Sequence, residues 1–138
     1  TMSNATLLSV ASSHPHTAEI DRCVAALEEC REACAGCADA WLACSPLGSE
    51  ALRCIRLILD CADLCVAAAD LLPHAQEANP VVLRSHLGAC ALACDRSVRE
   101  AERLRSPHAA RCLEVLRRTA RACRETIPLL PTVAAAAA

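Results

Sequence analysis

A chain that spaces Cys23, Cys30, Cys34, Cys37 and Cys44 at intervals of seven, four, three and seven residues has little choice of secondary structure. An α-helix turns about 100° per residue, which gathers these five side chains into an arc of roughly 80° on one face. Cys54, Cys61 and Cys65 repeat the pattern, Cys90 and Cys94 stand four apart, and Cys112 and Cys123 stand eleven apart. The twelve cysteines therefore form thiol faces on successive helical segments.

The helical reading does not rest on cysteine alone. Ala, Leu, Arg and Glu dominate, with one Trp and no Phe or Tyr, so the residues that favour strands are scarce. Breakers fall at Ser45-Pro46-Leu47-Gly48, from Pro73 to Pro80, and at Ser106-Pro107. They cut the chain into four helices over residues 21–44, 49–72, 80–104 and 107–127. Pro80 and Pro107 suit first-turn positions, with Asn79 and Ser106 ahead of them as caps. Ser49 lacks the acidic partner of a capping box, which makes that boundary softer. Short links favour antiparallel neighbours. The expected architecture is all-α: an antiparallel up-down four-helix bundle with a cysteine-lined interior over residues 20–127, a tail or short helix over 1–19, and a tail over 128–138.

Charge and composition remove several function classes. Fourteen basic and sixteen acidic residues give a formal net charge of −2, so neither an electrostatic footprint nor aromatic stacking platforms support nucleic acid as a partner. Arg111, Arg117, Arg118, Arg121 and Arg124 read as a solvated outer face with Glu114 and Glu125 interspersed. No apolar run approaches the roughly 20 residues that span a bilayer, so no membrane partner is expected. Residues 5–11 are apolar but follow no basic segment and no twin arginine, and with Met2 as the start the expectation is a cytoplasmic protein.

A disulfide scaffold is the first alternative for so much cysteine. Thiols seven residues apart on a helix are about 10.5 Å apart along its axis, beyond the roughly 7 Å Cα limit of a bridge, so disulfides would have to run between helices. Hairpins of that kind use two cysteines per helix at matched wide spacing, whereas the first helix here has five at mixed narrow spacing. Cysteine as a small core residue explains one or two positions but not twelve. Soft thiolates select Cu(I), Zn(II) or iron–sulfur chemistry. Zinc and iron–sulfur sites commonly draw on C-x-x-C loops, and only Cys34-Ala35-Gly36-Cys37 has that spacing, inside a helix. Cu(I) accepts two or three thiolates, and residues four apart have Cβ atoms about 5–6 Å apart on one helix face. Cys30/Cys34, Cys61/Cys65 and Cys90/Cys94 are three such pairs.

Axial levels follow from a rise of about 1.5 Å per residue in an up-down bundle. They place Cys65, Cys90 and Cys123 with Cys30 near one end, Cys34, Cys61 and Cys94 in the middle, and Cys37, Cys54 and Cys112 toward the other end. Cys44 is outermost there, and Cys23 stands alone beyond the first level. His86 and His108 each precede a cysteine by four, which makes them candidate ligands at opposite mouths. Trp41 reads as a plug at the bundle end or a subunit contact. Leu116 and Thr119 interrupt the last thiol face. Leu27, Ile55, Leu59, Leu92, Leu113 and Leu116 are expected beside the thiols, enough for a bundle without metal.

The segments E-C-R-E-A-C-A-G-C-A-D-A-W-L-A-C, D-C-A-D-L-C and A-C-A-L-A-C, with residues 20–127 around them, resemble the bacterial copper storage proteins. The resemblance implies many Cu(I) ions per chain held by paired thiolates, a cytosolic branch of the family, and a homotetramer of bundles. Thiols are sparser in the last two helices, and Met2 is the sole methionine. A catalytic role finds no support, because no positioned third group or glycine-rich substrate loop accompanies any thiol–histidine pair. Interhelical disulfides and sequestration of zinc or another soft metal are the remaining alternatives.

Overall fold

The computed structural model describes residues 16–44 and 46–132. Four α-helices occupy them: α1 (Thr17–Leu42), α2 (Ser49–Leu71), α3 (Pro80–Leu104) and α4 (Pro107–Thr126). Single 3₁₀ turns, Leu72–His74 and Ile127–Leu129, extend α2 and α4. Each helix packs on its neighbours in sequence, and α4 closes the square against α1.

The reason for this closure is visible in the buried positions. On α1 they are Ile20, Cys23, Leu27, Cys30, Cys34, Cys37 and Trp41, alternating steps of three and four, with Ala38 beside them. Cys54, Ile58, Cys61, Cys65 and Ala68 continue the rule on α2, and Pro80, Leu83, Leu87, Cys90, Cys94, Ser97 and Ala101 on α3. On α4 it runs through Ala109, Cys112, Leu116, Thr119, Cys123 and Thr126. A 3–4 repeat is the seam of helices that cross at about 20° with interdigitated side chains. Cysteine here takes seam positions that leucine fills in an ordinary bundle.

The helix starts follow from local chemistry. Asn79 Oδ1 accepts from Val81 N at 2.9 Å and Val82 N at 3.2 Å, and Ser106 Oγ accepts from His108 N at 3.2 Å. Both caps precede a proline whose missing N–H costs nothing in a first turn. Gly48 caps α2 without a side chain, as the sequence leads one to expect. Arg105 ends α3 in the left-handed region at φ 53°, and the extended Ser106 follows at once, which makes the α3–α4 turn tight.

Three expectations change. The first helix begins at Thr17 rather than at residue 21, because Ile20 supplies one more buried seam position. Residues 17–19 thus belong to α1, and the tail or short helix expected before them lies outside the described residues up to residue 15. Leu92 is 67 % exposed rather than beside the thiols: two residues from both Cys90 and Cys94, it points about 200° away from each. The C-terminal segment begins with the ordered turn Ile127–Leu129 and buried Leu130, and residues 133–138 lie outside the described residues. The α4 arginines do form an outer face. Arg118 pairs with Glu29 of α1 at 2.9 Å, and Arg117 and Arg124 pair with Glu102 and Asp95 of α3. Such exposed pairs contribute about 0–1 kcal/mol each, so burial and not charge holds the bundle.

Leu27, Ile58, Leu72, Leu83, Leu87 and Leu116 are fully buried between the thiol levels, so the reduced metal-free chain should be folded. Far-ultraviolet circular dichroism should show a largely helical protein that gains little helix on adding Cu(I). Leu87→Ala should lower the stability of that metal-free form by about 2–5 kcal/mol in denaturant titration.

Candidate metal centre

All twelve cysteines are free thiols, eleven of them buried and Cys44 exposed. At mid-bundle, Cys30 of α1, Cys61 and Cys65 of α2 and Cys94 of α3 converge, their Sγ atoms all within 4.8 Å of one another. Each is 0 % exposed. One of these contacts crosses helices, Cys61 to Cys94 at 3.4 Å. The group arises because a one-turn pair on α2 meets single seam cysteines from both neighbours. Thr119, on the α4 seam, donates to its own Val115 carbonyl at 2.7 Å and to the α1 carbonyl of Ala26 at 3.4 Å.

From Cys30 the thiols continue toward one end. Cys34 Sγ lies 3.9 Å from Cys30 Sγ, and Cys34 and Cys37 both act electrostatically on Cys112. Cys37 donates to the His108 carbonyl at 3.0 Å and Cys112 to the Ala109 carbonyl at 3.3 Å. Cys54 stands close enough to feel the charge of Cys112. At the rim the exposed Cys44 Sγ is 3.1 Å from His108 Nε2, and the buried Trp41 ring stacks on His108 with centroids 6.4 Å apart. Trp41 thus plugs the bundle end while its partner ring reaches a thiol.

Toward the other end Cys23 and Cys90 both act electrostatically on Cys123, and Cys90 also on Cys65. Cys90 Sγ donates to the Leu64 carbonyl at 3.3 Å, and His86 Nε2 donates to the same oxygen at 3.1 Å. Cys23 is therefore not alone. The α1 thiols sit about one turn from their expected levels: Cys23 joins Cys90 and Cys123, Cys30 joins the middle group, and Cys34 joins Cys37 and Cys112. Angular phase follows from residue number, but axial level depends on how each loop delivers the next helix. The third same-helix pair is also divided in its contacts, Cys94 turning to Cys61 and Cys90 to Leu64, Cys65 and Cys123.

Three polar residues share this interior, of which the sequence reading singled out Thr119 and missed Ser97 and Thr126. Ser97 is 0 % exposed, and its hydroxyl has no hydrogen-bond partner among the described residues. Thr126 donates to the Ala122 carbonyl at 2.7 Å and touches Cys23, and Thr119 lines α4 as described. Their signal was available: each stands three or seven residues beyond a cysteine on the same stripe.

The thiols hold one another's protons. Cys112 is lowered by the neighbouring Cys34 and then Cys37 thiols, and Cys123 by those of Cys23 and Cys90. Cys30 is lowered by the Cys34 thiol above all. The neighbours move the other way: Cys34 and Cys37 are raised by Cys112, Cys23 and Cys90 by Cys123, and Cys65 and Cys94 by Cys30. Burial pushes Cys54 up to about 11 from its ordinary 9.0, helped by the charges of Cys112 and Glu100 and opposed by Arg103. Between pH 9 and 11 the folded chain then keeps a proton that the unfolded chain has lost. That contribution to stability is full below about pH 9 and vanishes as pH rises to 11. The reduced metal-free protein should lose Tm over this window, and Cys54→Ala should flatten part of the loss; an identical slope in the variant would contradict the assignment.

Comparison with known proteins agrees with this arrangement. The sequence profile of the copper storage proteins matches residues 16–128. No curated protein sequence matches the chain. Among solved structures, the copper storage protein Ccsp from Streptomyces lividans loaded with 10 copper equivalents is similar at 31 % identity and a TM-score of 0.75, over 84 % of this chain and 93 % of that one. A cytosolic copper storage protein from Streptomyces lividans carrying five coppers matches at 34 % identity and a TM-score of 0.74, over 82 % of this chain and 95 % of that one. With a thiol-lined bundle and a family profile spanning nearly all of it, the chain belongs to the copper storage protein family.

Proposed function

We propose that this protein binds and stores several Cu(I) ions on the thiolates of its interior and that it acts as a vessel rather than a catalyst. The observation that carries the reading is the group Cys30, Cys61, Cys65 and Cys94, four buried Sγ atoms within 4.8 Å of one another. Its relatives' loading with five and with 10 coppers supports more than one ion per chain. The proposed ligand set is all twelve cysteines, with His86 and His108 at the two ends. We place the chain in the cytoplasm by analogy with the cytosolic relative.

Charge favours Cu(I) over divalent competitors. The buried polar side chains are Ser97, Thr119 and Thr126, so no buried cation balances thiolates among the described residues. A Cu(I) ion that displaces one thiol proton leaves the interior's charge unchanged. One Zn(II) on four thiolates leaves −2, which an apolar interior penalises by several kcal/mol per uncompensated charge. Equal numbers of ions and thiolates therefore suit this core, and loading releases about one proton per ion. A homotetramer remains part of the proposal, and Leu92 on the outer face of α3 is an apolar residue that such a contact would cover.

Chelator competition on the reduced protein should titrate several Cu(I) ions per chain with proton release, and binding should weaken as pH falls. Replacing Cys30/Cys34, Cys61/Cys65 or Cys90/Cys94 by Ser should each lower the count. Unchanged capacity in all three double variants sinks the assignment, and tighter uptake of Zn(II) than of Cu(I) sinks the charge argument. Light scattering should give four chains per particle, reduced by Leu92→Asp.

A further inference from the structure

The end of the bundle away from His108 has its own way in. A cavity of about 250 Å³ opens between α1 and α4, lined by Glu19, Arg22, Cys23, Ala122, Glu125 and Leu129, with Thr126 beside Cys23. Cys23 itself is only 1 % exposed, so the cavity ends on a thiol that bulk solvent scarcely touches. From there the thiols influence one another in succession inward, Cys23 with Cys123, Cys123 with Cys90 and Cys90 with Cys65 of the central group. A strap covers this end: the turn Ile127–Leu129 leads to buried Leu130, whose carbonyl accepts from the Arg84 guanidinium at 3.0 Å, with the Pro131 carbonyl accepting at 3.3 Å.

Resting on the copper reading, we propose that this cavity is an exchange port, which docks the thiolate end of a small-molecule Cu(I)–thiol complex and passes its ion to Cys23. The volume is below the roughly 300–1,000 Å³ of pockets that enclose a drug-sized ligand, so it admits the tip of a small carrier and not a folded domain. Arg22 offers a cation to an anionic bis-thiolate complex. Glu19 and Glu125 at the same wall disfavour a departing thiolate until it is protonated. The transfer balances without redox in two exchanges: the bond from copper to one carrier sulfur breaks as the bond to Cys23 Sγ forms, the Cys23 proton leaving on that carrier as a neutral thiol, and the second carrier sulfur then departs as the neighbouring Cys123 Sγ takes its place on the ion. Copper stays Cu(I) throughout. Arg84 is a positioning residue, since it holds the strap whose Leu129 walls the cavity.

The first test needs no metal. A short N-ethylmaleimide pulse on the reduced, folded full chain, read per cysteine by mass spectrometry, should modify exposed Cys44 first and then Cys23 ahead of Cys30, Cys61 and Cys94. Labelling of Cys23 no faster than of those three overturns the port whatever the copper count. The second test follows loading from Cu(I)–glutathione by the rise of thiolate-to-copper absorbance. Ala122→Trp should slow the initial rate several-fold, and Arg84→Ala should raise it, both with an unchanged final copper count. Unaltered rates in both variants overturn the port while leaving storage intact; no copper uptake by the parent protein overturns the storage reading itself. If Ala122→Trp loses its helical spectrum, Arg84→Ala and the labelling order decide.

Discussion

Everything in this bundle depends on cysteine occupying a coiled-coil seam without loosening it. A thiol is smaller than a leucine side chain, and eleven buried thiols would leave a poorly filled interior if nothing larger stood among them. The larger groups are spread along the seams: Leu27 between Cys23 and Cys30, Ile58 between Cys54 and Cys61, Leu87 just before Cys90, and Leu116 between Cys112 and Cys123. Hydrocarbon and thiol levels thus alternate. The hydrocarbon fixes how closely the helices approach, and the thiol levels inherit that spacing without having to generate it.

The same division explains what could be read in the sequence. Rotational phase depends only on residue number, so the faces carrying Cys30, Cys61, Cys94 and Cys112 were legible, as were the starts of α2, α3 and α4 from Gly48, Asn79-Pro80 and Ser106-Pro107. Axial level depends on loop geometry, which short-range chemistry does not specify. The displacement of α1 by a turn, and with it the placement of Cys23 and Cys30, came from there. Leu92 is a different case: its phase was available from Cys90 and Cys94, and counting 200° from each puts it outside. Thr119 was read on the last thiol face, and Ser97 and Thr126 were equally visible by phase, but their polarity hid them in a reading that followed thiols.

Buried thiols also need hydrogen-bond partners, and the helices provide them from carbonyls whose second lone pair is free. Leu64, His108 and Ala109 accept from Cys90, Cys37 and Cys112. Cys30 and Cys34, and Cys61 and Cys94, turn to one another. At Cys61 and Cys94, 3.4 Å apart across two helices, that contact brings two sulfurs close enough for a soft ion to bridge. An oxidant would compete for the same two atoms, so a reduced environment is a condition of the metal reading and not an incidental setting.

The ends and the middle differ in what can balance a thiolate. Cys37 is raised by Cys112 and Cys54 by burial, with Arg111 and Arg103 opposing those rises, and Arg124 adds to the lowering of Cys123 by Cys23 and Cys90, all at levels flanking the centre. Cys30, Cys61, Cys65 and Cys94 are shifted chiefly by neighbouring thiols, Cys34 foremost for Cys30, and by burial. An outer thiol can therefore give up its proton with help from a surface guanidinium, whereas a central thiol needs the arriving ion to bring the positive charge. Deprotonation and metal binding are separable steps near the ends and a single coupled step at the core. An ion moving inward along the column consequently passes from sites where the protein supplies the counter-charge to sites where the metal is the counter-charge, and it is the second kind that retains only what is both soft and monovalent.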